Sequence, residues 1–108
     1  ILTESVEVNK IIAAINNKKA VEIYYNGDNI TAKGRRKIYP HLLGRTIAGN
    51  LAIRAYQPEG STATYVPEWK IFIIDKIANW TELEEIFEIA PKYNQYGDQM
   101  FNRIDAKI

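Results

Sequence analysis

Val8, Ile11, Ile12 and Ile15 recur at i, i+3, i+4 and i+7, which places all four on one face of a helix between Thr3 and Lys18. Thr3 or Ser5 caps its start, and Glu4 and Glu7 early with Lys18 and Lys19 late suit the helix dipole. From Ala20 the period changes to two. Val21, Ile23 and Tyr25 alternate with Glu22 and Tyr24, a strand that ends in the turn residues Asn26, Gly27, Asp28 and Asn29. Pairing is expected to resume over residues 30–33.

The central stretch runs from Gly34 to Tyr56. Arg36, Ile38 and Pro40 point to one side of a strand and Arg35, Lys37 and Tyr39 to the other. Pro40 lacks the N–H of a ladder bond, so a strand edge or strand end is expected there. Gly44 to Asn50 reads as a hairpin connection, after which Leu51, Ile53 and Ala55 face the core and Ala52, Arg54 and Tyr56 alternate with them. Pro58 to Pro67 reads as a loop, and the apolar run from Trp69 to Ile77 as a strand covered on both sides.

Thr81 with Glu84 forms a capping-box pattern, so a short helix with Leu83, Ile86 and Phe87 on its apolar face is expected before Pro91. In the tail, Asp98 caps a last turn or two carrying Met100, Phe101 and Ile104. The whole reads as one domain over residues 1–108, with its core in 5–88 and a tail at 91–108. A mainly β, α+β fold follows: a small, strongly bent antiparallel barrel with an N-terminal helix and a C-terminal helical segment.

Composition narrows the chemistry. There is no cysteine and one histidine, His41, so neither a disulfide framework nor a multi-His metal site is available. No apolar run reaches the roughly 18 to 20 residues of a membrane helix, and the expected setting is a reducing cytoplasm without membrane association. The net charge of +1 is unevenly spread. Residues 33–76 hold eight Lys or Arg against three acids, whereas residues 77–108 hold three against six. The basic middle suits an anionic partner; equally, it suits a solvated face offset by the C-terminal acids.

Three segments resemble the WYL domain family, Sm-like small β-barrels of bacterial and phage regulators. They are KAVEIYYNG after the opening helix, Arg36-Lys37-Ile38-Tyr39-Pro40 with Leu42 or Leu43 following, and Lys70-Ile71-Phe72-Ile73-Ile74-Asp75-Lys76-Ile77. The resemblance spans about residues 5–88. It implies a basic patch that binds nucleic acid or a nucleotide-like ligand, with Arg36, Lys70 and Lys76 as the positions carried over. The family's Trp-Tyr-Leu is Leu51-Ala52-Ile53 here, so the tyrosine that helps line the family's groove is absent and a different ligand is implied.

From the charge pattern of this chain, Arg35, Lys37, Arg45 and Arg54 join the patch, and Tyr39 and Tyr56 supply stacking faces. The competing readings are an ion pair of Arg36 with Asp75 and plain packing of the two tyrosines. His41 has no Ser or Cys at motif spacing, and no GxxxxGK loop is present, so no enzyme and no cofactor are expected. The expected function is a regulatory module binding single-stranded nucleic acid or a nucleotide, in transcription regulation or phage–host control. The alternative is a protein-interaction module that binds a host or regulatory protein, or forms a homodimer, through the C-terminal tail.

Overall fold

The computed structural model describes residues 8–27, 33–60, 68–93 and 99–108. Helix α1 spans Val8–Asn17, and Ile11, Ala14 and Ile15 are its buried face. Ile12 packs at the margin of that core, whereas Val8 is largely exposed. Lys18 ends the helix in the left-handed region at φ 53°, donating its N–H to the Ile15 carbonyl at 3.2 Å, and the chain turns directly into a strand. The proposed caps at Thr3 and Ser5, with Glu4 and Glu7, lie outside the described residues, as does the turn from Asp28.

Six strands follow: β1 Lys19–Asn26, β2 Lys33–Thr46, β3 Leu51–Gly60, β4 Glu68–Ile73, β5 Ile77–Ile86 and β6 Phe101–Lys107. All pair antiparallel in the order β4-β3-β2-β1-β5, and β6 pairs with β2. Val21, Ile23 and Tyr25 of β1 are buried and Tyr24 is exposed, as the alternation requires. The inner face carries Ile38, Leu43, Ile53, Ala55 and Phe72 against α1. Burying Ile38, Leu43, Ile53 and Phe72 stabilises the fold by roughly 1.5 to 3 kcal/mol each.

The sheet is strongly curved. Tyr25 of β1 meets Phe72 of β4 edge-on at 5.0 Å, and its phenol oxygen accepts the Ile73 N–H at 3.0 Å, although two strands separate β1 from β4 in the sheet. Closure into a barrel was the expectation, but the sheet is open: among the described residues no ladder joins β4 to β5. A three-residue 3-10 turn, Ile74–Lys76, links them and breaks the expected continuous strand from Trp69 to Ile77.

Two expected helical segments are strands. Residues 81–86 belong to β5, paired with β1 as Val21↔Glu82 and Glu22↔Thr81. Without β5, β1 would leave a row of unpaired backbone groups along that edge, and filling it outweighs a capping pattern worth about 1 kcal/mol. The tail forms β6 because the C-terminal half of β2 extends beyond β1 and offers the same template; Phe101 pairs with Thr46 and Lys107 with Leu42. Asp98 is outside the described residues. Strand β3 also continues through Pro58 to Gly60, where a loop was expected to begin.

Pro40 sits inside the long β2 instead of at its end. Tyr39 pairs with Tyr56, Pro40 with Ala55 and Leu42 with Arg54, so His41 is an extra residue in the ladder. This β-bulge accommodates the missing N–H and turns His41 and Leu42 successively toward the outer face.

A candidate ligand-binding face

The outer face is built from the residues that alternate with the core. It carries Glu22 and Tyr24 from β1, Arg35, Lys37 and Tyr39 from β2, Arg54 and Tyr56 from β3, and Trp69 from β4. The structure divides these residues into two different environments.

The first environment is an aromatic cluster. Tyr39 and Tyr56 stack at 6.4 Å, Tyr56 meets Trp69 edge-on at 5.4 Å, and Phe87 stacks on Tyr39 at 4.9 Å. The segment 87–93, which follows β5, crosses over this cluster. It is tied down by the Phe87 N–H to the Lys18 carbonyl at 2.8 Å, the Trp69 indole N–H to the Pro91 carbonyl at 2.8 Å, and Tyr93 stacked on Trp69. Tyr39 and Tyr56, expected as stacking faces for a base, are thus packed against the protein's own rings.

His41 lies beneath this segment with none of its surface exposed. Its Nδ1–H donates to the Tyr39 carbonyl at 2.7 Å and its Nε2 accepts the Ala90 N–H at 3.1 Å, which together define a neutral ring. Trp69, Phe87 and Tyr93 surround it. Burial holds its pKa at about 4, well below the ordinary 6.5. Both ring nitrogens of His41 are thus engaged by backbone groups inside the protein.

The expected basic patch is similarly divided. Arg36 is buried, with its guanidinium carbon 5.1 Å from the Tyr25 ring centre and 5.3 Å from that of Phe72, and one of its amino groups donates to Gln57 Oε1 at 3.2 Å. Burial lowers its pKa, an effect partly offset by Tyr25, and it belongs to the inner core and not to a phosphate-binding surface. Lys70 has a side chain only 12% exposed and lies 3.4 Å from Glu68. Lys76 is half-buried in the 3-10 turn, and Arg54 is half-buried between Leu42 and Ile71 in the register.

Lys37 pairs with Glu85, which also accepts the Tyr39 hydroxyl at 2.8 Å. The hydrogen bond from Lys37, followed by that from Tyr39, lowers the Glu85 pKa; the same bond to Glu85 raises that of Lys37. The Tyr39 phenol is raised by burial first and by Glu85 second. Part of the excess positive charge in the middle of the chain is therefore neutralised by an acid from its C-terminal third.

The second environment remains open. Arg35, Tyr24 and Asn79 form a row across β2, β1 and β5, set by the pairs Tyr24↔Arg35 and Tyr24↔Asn79. Arg35 has a side chain 77% exposed, and Glu22 lies 3.7 Å from it. Together with Ile23 and Ala78 these four residues line a pocket of about 310 Å³. Of the expected site residues only Arg35 is in this pocket. Tyr24, Glu22 and Asn79 were not singled out by charge, although the alternation of β1 already placed Glu22 and Tyr24 on the polar face.

Among the described residues no helix is long and apolar enough to cross a membrane, and no group of His, Asp and Glu is arranged to hold a metal ion. Comparison with protein-family models and with curated proteins finds no match for this chain.

Proposed function

We propose that the chain is a non-enzymatic, WYL-like regulatory module that binds single-stranded nucleic acid or a nucleotide in the cytoplasm, in transcription regulation or phage–host control. The observation that carries this reading is the row Arg35, Tyr24, Asn79 on the open part of the outer face. An exposed guanidinium binds phosphate in a bidentate fork, an adjacent aromatic ring stacks on a base, and an amide completes the polar contacts. The helix followed by a strongly curved antiparallel sheet is what supports the WYL-like reading. The site moves from Arg36, Arg54 and Lys70 to the far end of the outer face, in keeping with the absence of the family's groove tyrosine.

A fluorescently labelled oligonucleotide titrated at two salt concentrations tests this reading. Binding that weakens steeply with salt and is lost in Tyr24→Ala supports it. No binding at low salt, with the chain folded, rejects it.

A second reading, a protein-interaction or self-associating module, is favoured by Ile47, Met100 and Ile104, which are 63%, 51% and 37% exposed. The Ile47 N–H donates to the Met100 carbonyl at 3.0 Å, which brings the β2–β3 turn beside the start of β6. Sedimentation of an Ile47→Ser/Met100→Ser double variant separates this reading from the first, because those substitutions leave the Tyr24 pocket intact.

A further inference from the structure

Resting on the nucleotide-binding reading above, we propose that the pocket between β1, β2 and β5 prefers guanine over the other bases, with Glu22 as the residue that reads the base. The polar groups around Tyr24 are unequal. Asn79 Oδ1 accepts the Trp80 N–H at 3.0 Å, which fixes the amide so that its NH₂ group is the end left to face a ligand. Glu22 contributes two acceptor oxygens from the same strand face as Tyr24. The pocket therefore offers a stacking ring, a two-oxygen acceptor, an amide donor and, on the opposite flank of Tyr24, the Arg35 cation.

Guanine matches that set. Its N1–H and 2-amino group are adjacent donors that a carboxylate accepts together, and its O6 beside them accepts from an amide. Adenine presents an acceptor, N1, beside a single amino group, and would set a lone pair against Glu22. Cytosine has the same conflict at N3, and uracil has one N–H between two carbonyls. The Arg35–Glu22 pair does not stand in the way. It is exposed and long, at 3.7 Å, so it contributes little and exchanges readily for a base on Glu22 and a phosphate on Arg35.

Isothermal titration of the full chain with GMP, IMP, AMP and UMP at low salt tests the proposal, with the Glu22→Gln and Tyr24→Ala variants alongside. The expected result is GMP tightest by roughly 10- to 100-fold, IMP intermediate because it lacks the 2-amino donor, and the GMP advantage abolished in Glu22→Gln. Equal affinities for the four nucleotides, or a GMP preference that survives Glu22→Gln, overturn the guanine assignment. In either case, loss of binding in Tyr24→Ala leaves the nucleotide-binding reading standing. No measurable binding of any nucleotide overturns the guanine assignment, and the oligonucleotide titration then decides the nucleic-acid reading by itself.

Discussion

Ala90 donates its backbone N–H to the ring of His41 across 49 positions of sequence, at 3.1 Å. This bond exists only while His41 is neutral, because protonation turns its acceptor nitrogen into a donor facing another donor. One imidazole thus holds the segment after β5 against the bulge in β2.

Acid should loosen this segment first. The folded-state pKa of His41, about 4, lies below the ordinary 6.5, so between these values the unfolded chain binds the extra proton. The His41 contribution is present above pH 6.5 and is lost as pH falls toward 4, by a total on the order of 3 kcal/mol. Glu85, lowered by Lys37 and Tyr39, acts in the same direction but only as its own carboxyl titrates, below the ordinary value of 4.5. Urea denaturation between pH 7 and pH 5 should show the loss in the wild type, and a His41→Gln variant should show a much flatter profile.

Arg35 and Arg36, neighbours in sequence, should behave in opposite ways. Arg36→Ala removes a buried guanidinium packed against both Tyr25 and Phe72 and should cost roughly 2 to 4 kcal/mol of stability, without altering the salt dependence of oligonucleotide binding. Arg35→Ala should leave stability within about 0.5 kcal/mol and reduce the salt slope by about 0.7 for a single strand. Thermal melts and salt titrations of the two variants measure both quantities.

Around Tyr39, stacking should matter more than charge. Glu85→Gln removes a partly exposed pairing with Lys37 and should cost less than about 1 kcal/mol. Phe87→Ala empties a buried ring site stacked on Tyr39 and tilted against His41, and should cost roughly 3 to 5 kcal/mol. Equal effects of the two substitutions in chemical denaturation would contradict this arrangement.

Glycine substitutions distinguish contact from conformation. A Cβ at Gly44 would lie 2.1 Å from the Arg103 carbonyl oxygen and 3.0 Å from the Phe101 ring, so Gly44→Ala should force β6 away from β2 at a cost of roughly 1 to 3 kcal/mol. At Gly49 a Cβ meets nothing within 4 Å, but φ is +92°, so Gly49→Ala should cost about 1 kcal/mol through backbone strain alone. Hydrogen exchange should show loss of protection in β6 only for Gly44→Ala.

Much of the inner face was legible in the sequence. The spacing of Ile11 and Ile15, the alternation of Val21, Ile23 and Tyr25, and that of Ile53 and Ala55 each name buried residues, because burial on one side of a helix or strand imposes a fixed period. Segments without that constraint differ from what local pattern predicts. Residues 81–86 contain a helix-start pattern, yet they complete an edge of β1 that lies some 60 residues earlier in the chain. The bulge at His41 was equally invisible, since it is defined only by the register of β2 against β3.

The site followed the same division. Local order determined that Arg35, Arg36, Lys37 and Tyr39 alternate across one strand, and hence that they fall on two faces. The curvature that brings Tyr25 and Phe72 together beside Arg36 was decided by the tertiary structure, as was the crossing of segment 87–93 that covers Tyr39 and Trp69. The physical reason is that a charge or a ring acquires its role from what desolvates it. That depends on neighbours supplied by distant strands, whereas periodicity depends only on the residue's own strand.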